Sequence, residues 1–98
     1  MITFSRKMID ISISDDAQKF LRTLNDKHAR QLIAKIELLA RNPKSHRGKL
    51  LEGFAPLCRL RSGDYRIIYV VDGEVLKVPL IDRRNDDRIY RRLKKIFG

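Results

Sequence analysis

Residues 58–69 read CRLRSGDYRIIY, and how this stretch turns back on itself decides the fold. β-type residues stand on both sides of Ser62-Gly63, a polar pair containing glycine, which is the pattern of a two-residue hairpin turn. With that turn, Leu60 faces Tyr65 and Arg59 faces Arg66. Like charges directly opposite each other destabilise a sheet. The pairing therefore calls for an anion between the two arginines.

Working outward, the hairpin extends into three strands, over about 57–61, 65–71 and 75–81. Asp72-Gly73 between hydrophobic runs is a type I′ signal joining the last two. Pro79 donates no N–H, so a bulge or an unpaired position is expected there. Upstream, KSHRGKLLEGFAP is a polar, basic, glycine-punctuated connection. Before it, Leu32, Ile33, Ile36, Leu39 and Ala40 recur at helical spacing, ending near Asn42-Pro43 because the residue before proline avoids the helical region. Ser14-Asp15-Asp16 opens a shorter helix through Phe20, Leu21 and Leu24, which Asn25-Asp26 breaks. Ile9, Ile11 and Ile13 alternate with polar residues as in a half-buried strand. From Asp86-Asp87 onward, Ile89, Tyr90, Leu93, Ile96 and Phe97 mark a terminal helix, with Lys94-Lys95 near its end. The order is β-α-α-β-β-β-α, an α+β fold with an antiparallel sheet packed against an N-terminal helical hairpin.

Ninety-eight residues, 43% hydrophobic and 35% charged, suit one soluble globular domain spanning 1–98. Lys and Arg total 22 against 12 Asp and Glu, a formal charge of +10 that favours a polyanionic partner. The lone Cys58 excludes an internal disulfide and reads as a small strand residue. MITFSRKMIDISIS lacks the continuous apolar core of a signal peptide, and no stretch is apolar enough to span a membrane. A reducing, cytoplasmic location is the default. His28 and His46 are the only histidines, no second cysteine or carboxylate cluster stands at ligand spacing, and no cofactor or metal is expected. Both histidines read as ordinary surface residues.

If Tyr65, Ile67, Tyr69 and Val71 pack on the helices, Arg66 opens outward beside Arg59, with Arg61 one strand step beyond. Arg83-Arg84 and Tyr90-Arg91-Arg92 come near the same surface. A planar guanidinium fork binds phosphate oxygens bidentately, so Arg59 and Arg66 suit an RNA phosphate or an acidic side chain. A solvated basic face is the plainer reading for Arg61, Arg91 and Arg92.

The segments LLARNP, GKLLEG, CRLRSGDYRIIYVV and RRNDDRIYRRL run in the order found in the RelE/ParE superfamily of type II toxin–antitoxin toxins, which the chain resembles over nearly its whole length. The resemblance implies a RelE-like fold. Its RelE branch implies a ribosome-dependent mRNA endonuclease acting in the A site. There the 2′-hydroxyl attacks the adjacent phosphate without a metal, leaving a cyclic phosphate and a free 5′-hydroxyl. Arg59 matches a catalytic lysine of the family, and Arg66 the arginine that holds the scissile phosphate. Arg84, or Arg83 beside it, matches the arginine that stabilises the leaving group. Tyr90 matches the tyrosine that orients the 2′-hydroxyl or stacks on a base. Lys49 reads as a backbone contact, and Arg61, Arg83 and Arg91 as further RNA-binding residues.

Two positions depart from the pattern. Leu57 stands where some relatives have a second lysine, and Asp82 precedes Arg83-Arg84 where many have a histidine. Arginine keeps its proton above pH ~12, so Arg59 is assigned electrostatic stabilisation and the general base is left open. The alternative is a ParE-like toxin that inhibits DNA gyrase and cuts nothing. A passive RNA-binding module comes third, because the sheet lacks exposed aromatic stacking residues. Either toxin implies an acidic cognate antitoxin, with the ribosomal 30S A site, rRNA and mRNA as targets of the nuclease, DNA met only through the antitoxin complex, and no membrane.

Overall fold

A computed structural model describes residues 8–98. The first seven residues of the stretch weighed as a signal peptide lie outside the described residues. The element order is β1 (Asp10–Ile13), α1 (Asp15–Thr23), α2 (Asp26–Arg41), β2 (Lys49–Leu50), β3 (Cys58–Ser62), β4 (Tyr65–Asp72), β5 (Val75–Arg83) and α3 (Asp86–Phe97). Five strands form one sheet in the order β1-β5-β4-β3-β2. Three of its ladders are antiparallel, but β1 pairs with β5 in parallel. The sheet is thus mixed rather than wholly antiparallel, because α1 and α2 carry the chain back before β5 arrives beside β1.

Side-chain caps start each helix. Ser14 Oγ accepts from the Ala17 amide, Asn25 Oδ1 from His28, and Asn85 Oδ1 from Arg88. Ser14 also donates to the Pro79 carbonyl at 2.8 Å, tying the start of α1 to β5. The expected irregularity near Pro79 is present: the β4–β5 register shifts between Ile68 and Val70.

Both faces of the sheet are covered. The α1–α2 hairpin packs Ala17, Leu32, Ile36 and Leu39 on Tyr65, Ile67, Tyr69, Leu76 and Val78. Ile33, expected on that stripe, is 41% exposed. On the opposite face α3 sets Ile89 and Leu93 against Leu57, Ile68 and Leu80. Ile68 and Ile67 are both fully buried, so the centre of β4 has no solvent face. Among the described residues no helix is long and apolar enough to cross a membrane.

The first hairpin corrects the sequence reading. Ser62 pairs with Tyr65, Arg61 with Arg66 and Arg59 with Ile68, so the turn is Gly63-Asp64. The second hairpin behaves alike: Asp72 pairs with Val75, leaving Gly73-Glu74 as the loop. Gly63 and Gly73 have φ of 57° and 61°, and no other residue type among those described has positive φ. Positive φ at the first loop position alone is the type II′ pattern, not I′. Arg66 therefore faces Arg61, not Arg59. A slip of two residues preserves side-chain parity, so all three arginines still share one face.

Candidate functional site

Arg66 does not open outward as expected; it is 6% exposed, because α3 packs on its side of the sheet. Its Nη1 donates to the carbonyls of Gly63 at 3.0 Å and Tyr65 at 2.8 Å. No buried side-chain nitrogen or oxygen among the described residues lacks a partner. Its other nitrogens, which bond nothing among the described residues, therefore reach solvent. Burial lowers the pKa of this guanidinium, Arg61, Arg59 and Arg84 lower it further, and Asp86 opposes them. It remains a cation at neutral pH. A buried charge surrounded by like charges is costly unless an anion joins it.

Arg59 lies beside this group with its side chain 17% exposed, and its Nη1 donates to Asp86 Oδ1 at 3.1 Å. Lys49 stands opposite Arg59 across the β2–β3 ladder, since both belong to one register pair. A cleft of about 360 Å³ opens among Arg47, Lys49, Arg59 and Arg61. Gly48 makes this approach of β2 to β3 achievable, because a Cβ there would fall 2.2 Å from the Arg59 carbonyl oxygen. Its amide donates to the Tyr69 hydroxyl at 2.7 Å, which pins the connection to β4. A second cleft, about 460 Å³ beneath Asn42, Pro43, Cys58 and Tyr69, shares only Arg47 with the arginine group.

The structure separates the late arginines. Arg84 acts on Arg66, and its amide donates to the Asp64 carbonyl at 2.7 Å, holding the end of β5 to the β3–β4 turn. Arg83 instead lies over the Tyr65 ring at 5.5 Å, on the helical-hairpin side. Arg84, not Arg83, belongs to the cluster. Tyr90 is half-buried, its ring 5.6 Å from that of Phe54 within the apolar group that includes Leu57. It lies one turn beyond Asp86 on α3, about 40° round the helix, and so on the side that meets Arg59. Arg91 is exposed and about 140° from Asp86, which leaves it outside the group.

Sequence reasoning missed two features. Asp82 is 3% exposed and receives Arg88 Nη2 at 2.6 Å, Arg88 Nε at 3.0 Å, Arg92 Nη1 at 3.0 Å and the Arg83 amide at 2.7 Å. Burial pushes its carboxyl up, but the bonds from Arg88, the Arg83 amide and Arg92 outweigh this and hold it below the usual carboxylate range. Arg92 also donates to Asp16, so this network joins β5, α3 and α1. The signal was present in the i, i+4 spacing of Arg88 and Arg92 after an isolated acid. His28 is the other feature: it is half-buried and hydrogen-bonded to the Tyr65 hydroxyl at 3.1 Å, not a free surface residue. Its place on the hairpin side keeps it from Arg59, Arg66 and Arg84.

With this geometry stands a family match over residues 11–88, to the model of the ParE toxin of type II toxin–antitoxin systems. The chain belongs to that family. Among solved structures, a mutant of the E. coli toxin RelE in the free state is 24% identical, covering 93% of this chain and 99% of its own, with TM-score 0.73. A chain of the archaeal RelE–RelB complex from Pyrococcus horikoshii is 28% identical, covering 80% of this chain and 97% of its own, with TM-score 0.65. The ParDE system of P. aeruginosa gives 15% identity, 82% and 100% coverage and TM-score 0.68. No curated protein sequence matches the chain. The protein is thus a RelE/ParE superfamily toxin of a type II system, with the α+β fold of RelE.

Proposed function

We propose that this toxin is a metal-independent endoribonuclease that cuts mRNA in the ribosomal A site and thereby stops translation. The observation that carries the reading is Arg66: a buried guanidinium whose partners among the described residues are carbonyls alone, ringed by Arg59, Arg61 and Arg84. A phosphate meets its open nitrogens bidentately and offsets the surrounding charge. In cleavage the 2′-oxygen forms a bond to phosphorus while the bond to the 5′-oxygen breaks. Arg66 and Arg59 stabilise the growing phosphorane charge, and Arg84 faces the leaving oxygen. Tyr90 positions the nucleotide at the 2′-hydroxyl side. Lys49 and Arg61 hold the neighbouring backbone.

A cognate antitoxin, acidic to match the +10 charge, silences the toxin by covering Arg59 and Arg66 or by displacing α3 and with it Tyr90. The match to the ParE model favours a second reading, inhibition of DNA gyrase without cleavage.

One experiment separates them. The chain is induced in a bacterium, message 5′ ends are mapped, and supercoiling by gyrase is assayed in parallel. The nuclease reading expects ribosome-dependent cuts that fall at least about a hundredfold in Arg84→Ala and in Arg66→Lys, which keeps charge but loses the fork. Intact messages with blocked supercoiling establish the gyrase reading instead.

A further inference from the structure

α3 presents to the sheet a stripe of residues at helical spacing: Ile89, Tyr90, Leu93 and, one turn earlier, Asp86. A carboxylate thus occupies the position where the sheet-facing stripe begins. Its Oδ1 accepts from Arg59, its side chain is 61% exposed, and Oδ2 has no partner among the described residues. The charged groups around it are Arg59 from β3, which bonds it, and Arg66 from β4, on which Asp86 and Arg84 both act, with Asp87 and Tyr90 on its own helix.

The nuclease reading assigns no group to take the 2′-hydroxyl proton, since Lys49, across the ladder from Arg59, holds the neighbouring backbone. Arginine does not deprotonate in proteins. Tyr90 is packed against Phe54, His28 is bound to Tyr65 on the other face, and Asp82 is buried under Arg88 and Arg92. Asp86 is open, anionic in type and fixed at the arginine cluster by one oxygen. Arg59 has five N–H donors in a planar fork, so it can hold Asp86 with Nη1 and still offer an edge to a phosphate.

Resting on the nuclease reading, we propose that Asp86 is the general base of cleavage. Oδ2 takes the proton of the 2′-hydroxyl as the 2′-oxygen bonds to phosphorus. The bond from phosphorus to the 5′-oxygen breaks with its electron pair, and that oxygen takes a proton from water beside Arg84. Asp86 then returns its proton to solvent. Arg59 is the positioning partner that aims the carboxylate.

The test uses purified toxin and ribosomes carrying message in the A site, with single-turnover cleavage followed across pH. The wild type, Asp86→Asn and Asp86→Glu are compared, and binding is measured on a message with a 2′-deoxy nucleotide at the cut site. Asp86→Asn is expected to slow cleavage about 10²–10⁴-fold, to erase the fall in rate toward acid pH and to keep binding within about twofold. Asp86→Glu should recover part of the rate together with the acid limb. If the wild type cuts and Asp86→Asn retains its rate, or slows with the acid limb unchanged, the assignment is wrong while the nuclease reading stands. A wild type that cuts no message removes both.

Discussion

Arg66 and Asp82 are register partners across β4 and β5 on one sheet face, yet they share no hydrogen bond. Asp82 is saturated by Arg88, Arg92 and the Arg83 amide, which leaves the guanidinium of Arg66 to carbonyls and to whatever anion arrives. The two residues therefore divide the work: Asp82 anchors α3, and Arg66 keeps a charge in reserve. Because the folded carboxyl of Asp82 lies below its unfolded value, its contribution is complete above the ordinary carboxylate range and fades as pH falls below about 4. Asp82→Asn should cost roughly 2–4 kcal/mol at pH 7. In urea titrations the deficit against the wild type should shrink toward pH 3; a deficit independent of pH would show that Asp82 acts by packing alone. At this scale the sequence revealed the arginines by type and by their place beside a turn. It did not reveal Asp82, because an acid is known to be buried only once its partners come together from β5 and α3. Nor did it show that Arg66 is buried, since Arg66 interrupts a run, YRIIYVV, that is otherwise apolar on both faces.

The elements were legible where local chemistry dictates them. Ser14, the Asn25-Asp26 break, the acidic start of α3 and Pro43 after α2 are signals set by the backbone groups at helix ends. Register was less legible, because glycine sits as well at the second position of a type I′ turn as at the first of a II′ turn. Moving the turn by one residue moves the pairing by two, so the faces stayed right while the partner of Arg66 changed from Arg59 to Arg61. The parallel β1–β5 pair and the two-residue β2 were not legible: the first depends on distant contacts, and the second is too short to show a period. That short strand is nevertheless what brings Lys49 opposite Arg59. Gly48→Ala places a methyl 2.2 Å from the Arg59 carbonyl oxygen, so β2 must move away from β3. The expected loss is about 1–3 kcal/mol, concentrated at this edge. Hydrogen exchange should show faster amides at Lys49 and Leu50 with β4 and β5 still protected. Uniform loss of protection would mean that β2 holds the whole sheet.

On the scale of the whole molecule, a charge of +10 can act in two ways on an RNA. A diffuse field speeds encounter and is screened beyond about 8 Å at physiological salt. Direct phosphate contacts instead release counterions, and for single strands each lowers the slope of log affinity against log salt by about 0.7. The fold separates the two groups of basic residues. Lys49, Arg59, Arg61, Arg66 and Arg84 gather on the α3 side at the β2–β3 edge and the β3–β4 turn, while Arg83 lies over Tyr65 on the hairpin side and Arg91 points away from Asp86. Four to five contacts predict a slope of about −3 for a 2′-O-methyl single-stranded RNA bound by the free toxin. Lys49→Ala and Arg61→Ala should each reduce the steepness by about 0.7, whereas Arg83→Ala and Arg91→Ala should weaken binding slightly at low salt and leave the slope in place. These four substitutions remove the same formal charge, so net charge alone would make their slopes equal. Equal slopes would return the basic surface to a general attraction for RNA; a split between the two pairs would make the cleft between β2, β3 and the Arg66 turn the track along which the strand lies.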